Sequence, residues 1–291
     1  MAATNDIQSM DKGQLCMVLD WAAVEGWNPG LHDADTFYAA DPDGYLLARV
    51  DGVPAASIFA VRYGAGFGFI GGYIALPPFR GQGHGMAVWN AGMARLAGRT
   101  VGLDGVLAQQ GNYAKSGFVL AHRNVRFEGR GRGMAADSGG PATHGAHGGV
   151  VPLTSIGADE VLRYDRPFFV EERQVFVRHW ITQSGSVALG IAAGGRLAGY
   201  AVLRPCRSGY KVGPLFADTP VQAHALFDAL LTHAPTGSPV FLDVPEPNRE
   251  AMALARSYGM APCFETARMY TGAAPVLDLA RTYGVTTFEL G

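Results

Sequence analysis

The sequence predicts an α/β (α+β) protein of two domains, each a mixed, mainly antiparallel sheet flanked by helices. Three observations predict it. The 291 residues are enough for about two domains at roughly 100 to 200 residues each. Residues 129 to 149 read GRGRGMAADSGGPATHGAHGG, a stretch too poor in apolar surface to offset its own ordering entropy, and so a linker. The order of helical and extended patterns before this linker recurs after it. The expected division is therefore 1–128, a linker at 129–149, and 150–291.

In the first part, Leu15, Val18, Leu19 and Ala22 fall at the i, i+3, i+4, i+7 spacing of an amphipathic helix over Gln14 to Glu25. Tyr45 to Val50 and Ala55 to Tyr63 are strand-like and meet at Asp51-Gly52, a hairpin pair. A turn at Gly64 to Gly66 leads to a third antiparallel strand, Phe67 to Leu76. Pro77 and Pro78 end it, because neither can donate a ladder hydrogen bond. The run Arg80-Gly-Gln-Gly-His-Gly85 then opens a helix apolar at Met86, Trp89, Met93 and Leu96. Thr100 to Leu103 reads as a short strand ending at Asp104, and Phe118 to Phe127 as another after a brief helical turn.

In the second part, a helix around Glu171 to Trp180 precedes strands at Val187 to Ala193, Arg196 to Leu203 and Lys211 to Leu215. A helix from Val221 to His233 and a strand from Val240 to Val244 follow. Leu103-Asp104, Asn112 and Ser116-Gly117-Phe118 are echoed by Leu242-Asp243, Asn248 and Tyr258-Gly259-Met260, which reads as a diverged internal duplication.

Composition excludes several functions. The formal net charge is −2 and no stretch concentrates Lys and Arg, so a nucleic-acid backbone finds no electrostatic footprint. No apolar run reaches the 18 or so residues of a membrane span, and no signal pattern opens the chain, so a cytoplasmic location and no membrane partner are expected. Cys16, Cys206 and Cys263 lack metal or redox spacing and read as reduced, mostly buried thiols, Cys16 packing on its apolar helix face. His144 and His147 in the linker have no third ligand or rigid helix beside them, and no metal is expected.

The glycines at 81, 83 and 85 suggest a phosphate cradle, since a helix N-terminus offers unpaired N–H groups that a Cβ would screen. A Gly-rich turn with no ligand reads the same locally. A nucleoside-triphosphate loop is excluded because no Lys follows the glycines. A dinucleotide loop would find an acid in Asp104, but Met86 stands at the third glycine position, and the antiparallel strands before it are not βαβ units.

Arg80-Gly-Gln-Gly83-His-Gly85 resembles the R/Q-x-x-G-x-G/A pyrophosphate loop of the GNAT superfamily of acetyl-CoA-dependent N-acyltransferases. Asn112-Tyr-Ala-Lys-Ser-Gly-Phe118 resembles its N…Y-x-K-x-G-F segment. The resemblance implies two tandem GNAT-like domains, the second degenerate: Phe216-Ala-Asp-Thr-Pro220 stands where the loop would be, and Ala255 where Tyr113 would be. It implies acetyl transfer from acetyl-CoA to a primary amine of a small molecule or peptide, by direct attack with both substrates bound. Backbone of Ile74, Ala75 and Leu76 would hold the pantetheine arm, with a backbone N–H near Ile74 polarising the thioester carbonyl. Arg80, Gly81, Gln82, Gly83, His84, Gly85, Asn112 and Lys115 would complete the cofactor site. Tyr113, protonated at neutral pH with an ordinary pKa near 10, would be the general acid.

The base is less defined, because Phe67 to Leu76 holds no acid or histidine. Glu25, where the resemblance puts the substrate-covering loop, and Asp104, at its strand's end, are the candidates beside a relayed water. Trp27, Phe69 and Tyr73 are candidates for the acceptor pocket, although aromatic strand residues commonly serve as core. A non-catalytic acyl-CoA-binding sensor or assembly module is the alternative function.

Overall fold

A computed structural model describes residues 5–133 and 149–291. The histidines at 144 and 147 and most of the predicted linker lie outside the described residues. The first half runs β1 (Asn5–Ser9), α1 (Lys12–Val24), α2 (Asp33–Ala40), β2 (Tyr45–Val50), β3 (Val53–Tyr63), β4 (Phe67–Ala75), α3 (His84–Arg95), β5 (Thr100–Val106), α4 (Gln110–Lys115) and β6 (Phe118–Arg130). The second runs β7 (Val150–Pro152), α5 (Ala158–Asp165), α6 (Gln174–Trp180), β8 (Val187–Ala193), β9 (Arg196–Pro205), β10 (Tyr210–Ala217), α7 (Pro220–His233), β11 (Pro239–Pro245), α8 (Arg249–Ser257), β12 (Ala261–Thr271) and β13 (Thr282–Gly284). No described helix is long and apolar enough to cross a membrane.

The strands form one continuous sheet in the order β1-β2-β3-β4-β5-β12-β6-β11-β10-β9-β8-β7, with β13 on β10. This changes the meaning of the predicted boundary. Position 128 falls inside β6, and the two halves interleave: β12 inserts between β5 and β6, while β6 lies between β12 and β11. Each half thus completes its sheet with a strand from the other. Two buried ion pairs fix the register. Arg268 of β12 faces Asp104 of β5, and Arg126 of β6 faces Asp243 of β11. The duplicated Leu-Asp read from the sequence marks these two positions.

A core of aromatic and aliphatic residues joins the halves, with Phe37 of α2 stacked on Trp180 of α6 at 6.3 Å. A third buried pair, Asp33 of α2 with Arg204 of β9, spans the same junction. The helix after the glycine run turns Val88, Trp89 and Gly92 inward with Leu96 behind them, whereas Met86, predicted on the apolar face, is 57% exposed. Cys206 is buried as expected. Cys16 and Cys263 are exposed, so Cys16 does not pack on the apolar face.

Candidate functional site

β4 and β5 pair in parallel only from Phe67↔Thr100 to Ile70↔Leu103. Beyond Ile70 they splay, because β4 breaks register against β3 between Ser57 and Phe59, with Gly72 in the left-handed region at φ 51°. The Ser57 hydroxyl donates to the Gly72 carbonyl at 2.8 Å and fixes this irregularity. Between the diverging strands lies a cleft of about 550 Å³, including its solvent-open space. Its walls include Trp27, Ile70, Tyr73, Trp89, Tyr113, Arg126, Phe264 and Phe288.

The glycine loop sits at the end of β4. Gly81 and Gly83 have φ 74° and 87°, a backbone region that favours glycine, and a Cβ at either would meet nothing within 4 Å. Their conformation, not crowding, requires glycine. Gly83 caps α3 without a side-chain hydrogen bond, so the first-turn N–H groups of the helix have no side-chain cap. In the second half Thr219 caps α7 and accepts from the Gln222 N–H, with Pro220 at the first turn. That helix start is occupied by its own chain.

The Leu76 N–H donates to the Ala55 carbonyl at 2.9 Å, and Ala75 stands opposite Ala56. Antiparallel alternation therefore points the backbone groups of Ile74 and Leu76 at β3 and those of Ala75 at the splayed edge. The Ala75 carbonyl accepts from Arg80 Nε at 2.8 Å on that side. This corrects the expectation that the backbone groups of Ile74 and Leu76 face the arm; of the three residues, Ala75 turns its groups to that edge.

Arg80 also pairs with Glu25 at 2.5 Å, which ties the loop to the end of α1. Glu25 is thus a loop anchor and does not line the cleft. Gln82 donates to the Pro78 carbonyl at 2.7 Å. His84 is buried against the Phe79 ring, and Gly85 lies under the Tyr73 hydroxyl, which a Cβ there would approach to 3.0 Å. Asn112 and Lys115 are exposed on α4 and interact with each other at 3.5 Å.

Tyr113 is placed in the cleft by Gly105. A Cβ at 105 would stand 2.1 Å from the Tyr113 ring, so only glycine lets the ring lie against β5. The ring stacks on Trp89 at 5.7 Å, and burial pushes the phenol up to about 12. Tyr73 meets Trp89 edge-on at 5.1 Å.

Two expectations fail on geometry. Asp104 borders the cleft, but its carboxylate accepts from Arg268 Nε at 2.8 Å and from Asn124 Nδ2 at 2.8 Å with its side chain fully buried. It is a structural counter-ion, not a base poised for substrate. Phe69 is fully buried below the cleft, under the Arg268 guanidinium at 5.1 Å, and belongs to the core. Trp27 and Tyr73, by contrast, are half-buried on the cleft wall.

The closing segment 283–291 belongs to the resemblance with tandem GNAT proteins, but none of its residues was expected in the site. Residues 282–290 are buried and run between the halves. β13 pairs with β10 at Leu215 and Phe216, just beyond the point where β10 leaves β11. It therefore fills in the second half the splay that stays open in the first. Asn248, the counterpart of Asn112, holds this segment through the carbonyls of Leu279, Ala280 and Thr282. Farther on, Phe288 and Glu289 reach the first-half cleft. Gly71 makes room for them, since a Cβ there would stand 2.0 Å from the Glu289 carbonyl oxygen.

Comparison with known proteins bears on the family and the fold. An Acetyltransferase (GNAT) family model matches residues 14–118, and an Acetyltransferase (GNAT) domain model matches residues 161–284. The chain is 29% identical over 288 residues, 99% of its length and 94% of the relative's, to a holothin acyltransferase of Pseudoalteromonas sp. (strain SANK 73390). Its fold is similar to that of a putative acetyltransferase from Pyrococcus horikoshii, with TM-score 0.79 and 21% identity over 99% of this chain and 96% of that one. It is also similar to a tandem GNAT protein from the clavulanic acid biosynthesis pathway, with TM-score 0.61 and 16% identity over 94% of this chain and all of that one.

Proposed function

The chain belongs to the GNAT acyltransferases as a tandem member, and from that premise we propose that its first half transfers an acetyl group from acetyl-CoA to a primary amine. The observation that carries this reading is the continuous path from the unblocked start of α3, along the free edge of β4, to Tyr113. These residues fit acetyl-CoA. Uncapped N–H groups at the glycine loop suit a pyrophosphate, and the β4 edge at Ala75, which faces away from β3, suits the amide-bearing arm as an added strand.

Alignment is the main contribution of the chain. The loop and β4 edge fix the thioester at the splay, and the aromatic walls hold an acceptor beside it. Tyr113, kept protonated throughout the neutral range, donates to the departing thiolate. The walls of Trp27, Ile70, Phe264 and Phe288 favour an amine on a small apolar or aromatic body over a strongly charged peptide. Because the relative at 29% identity is named for holothin, that compound heads the acceptor panel, with tyramine, tryptamine and spermidine, and acyl-CoA thioesters of several chain lengths serve as donors.

Calorimetric titration with acetyl-CoA tests the donor site. Wild type should bind, and Gly83→Val should lose at least about tenfold in affinity, because a β-branched residue at φ 87° distorts the loop. Tyr113→Phe should bind as wild type and turn over about 10² more slowly with the best panel amine. Equal affinity in Gly83→Val would reject the loop assignment. Binding without turnover of any amine would favour an acyl-CoA sensor.

A further inference from the structure

An amine is protonated at neutral pH and must lose a proton before it can attack a thioester. Neither Glu25 nor Asp104 is disposed to take it, as their ion pairs show. Glu289 is different. It comes from the other half of the molecule, is 4% exposed, and lines the cleft, with its backbone carbonyl packed on Gly71. The Thr287 hydroxyl donates to Oε2, which orients the carboxylate. Among the described residues no group donates to Oε1.

A second observation marks the same cavity as built for a polar group. Thr266 of β12 lines it, and its hydroxyl is buried without a hydrogen-bond partner. Leaving such a group unsatisfied is costly, and a bound amine would relieve it. Charged groups face Glu289 from several elements: Arg126 of β6, Arg204 of β9 and Lys211 of β10 lie within electrostatic reach. Asp104 and Tyr113 share the cleft wall.

Resting on the acyl-transfer reading above, we infer that Glu289 binds the acceptor ammonium and accepts its proton. The ammonium gives one proton to Glu289, which passes it to solvent. The nitrogen lone pair then forms the C–N bond as the C–S bond of the thioester breaks. Tyr113 protonates the leaving thiolate and regains a proton from the second one released by nitrogen. The products are the amide, free CoA and one proton. The second half thus contributes to the reaction through its final segment, the same segment that fills its own splay.

The test compares wild type, Glu289→Gln and Glu289→Asp in the full-length protein, using acetyl-CoA and the panel amine that wild type acetylates fastest. Acetyl-CoA affinity is measured beside kcat/KM from acid to alkaline pH. Glu289→Gln should bind acetyl-CoA within about twofold of wild type, lose about 10²- to 10³-fold in kcat/KM at pH 7, and recover as pH approaches the amine's own pKa. Glu289→Asp should retain more activity than the Gln variant. Wild-type kcat/KM in Glu289→Gln, or a loss that is the same at every pH, would overturn the assignment. Should Glu289→Gln fail to bind acetyl-CoA, Glu289→Asp decides: a displaced acid limb supports the role, and a limb coincident with wild type rejects it. If wild type itself neither binds nor turns over acetyl-CoA, the acyl-transfer reading falls, and this inference with it.

Discussion

Asp243 and Arg126 show how one pair of side chains serves both the join between the halves and the cleft. The carboxylate accepts from Arg126 Nε at 2.6 Å and Nη2 at 2.8 Å, with side chains 1% and 3% exposed. Arg126 also donates to the Trp27 carbonyl at 2.8 Å and lies over the Phe288 ring at 5.0 Å, so the pair fixes two walls of the cleft. Burial pushes Asp243 up, but the Arg126 charge and hydrogen bonds, helped by Lys211, bring it below its ordinary value of 3.8. A carboxylate depressed on folding adds stability above its unfolded pKa, and that stability is lost as pH falls through the folded value. The contribution is therefore complete at pH 7, begins to fall only near the ordinary value of 3.8, and is lost as pH drops further through the lower folded value. Asp243→Asn would leave the Arg126 charge buried and uncompensated, at a cost of about 3–5 kcal/mol. Urea unfolding at pH 7 should show this loss, and the difference from wild type should shrink as both are acidified. An unchanged midpoint would mean that the pair is not needed to join the halves.

At the scale of elements, two corresponding strand-loop-helix units differ in what fills them. In the first, β4 and β5 splay onto an open cleft and Gly83 leaves the α3 start uncapped. In the second, β13 pairs along β10 and Thr219 caps α7. Acetyl-CoA should accordingly bind once per chain, and a calorimetric stoichiometry near two would refute the blocked second site. The open unit was legible in the sequence because the identity of its glycines encodes a positive φ, and because Pro77 and Pro78 announce the strand end. Strands that follow local alternation and hairpin rules were legible in both halves, so Tyr45–Val50 and Val187–Ala193 have the predicted bounds. β12 was not legible: Ala261–Thr271 contains Pro262 and no clean alternation, and its partners lie more than 130 residues away. Glu289 was hidden for a related reason. Nothing in Thr-Thr-Phe-Glu-Leu distinguishes a surface end from a cleft wall until Gly71 and Gly213 leave space for that segment. Asp104 was misassigned because its partner, Arg268, arrives from the other half.

For the whole molecule, the exchange of β6 and β12 makes each half depend on the other. Without β12, the first half would expose the ladder groups of β5 from Gly102 to Val106 and leave Asp104 buried without its cation. Without β6, the second half would expose β11 from Pro239 to Pro245 and lose the partner of Asp243. Unpaired strand edges of this kind favour aggregation, and each stranded carboxylate adds several kcal/mol to the cost. The shared aromatic core would be opened as well. Residues 1–133 and 149–291 expressed separately should therefore be insoluble or unfolded. Co-expressed as two chains, they should assemble into a one-to-one complex, because the sheet, the three buried ion pairs and the core need no covalent link between 133 and 149. The missing linker raises only the entropic cost of encounter, so the complex should dissociate on dilution while binding acetyl-CoA once when intact. Size-exclusion chromatography of the co-expressed pair decides the matter: a stable, soluble first half on its own would show that the interleaved sheet is dispensable.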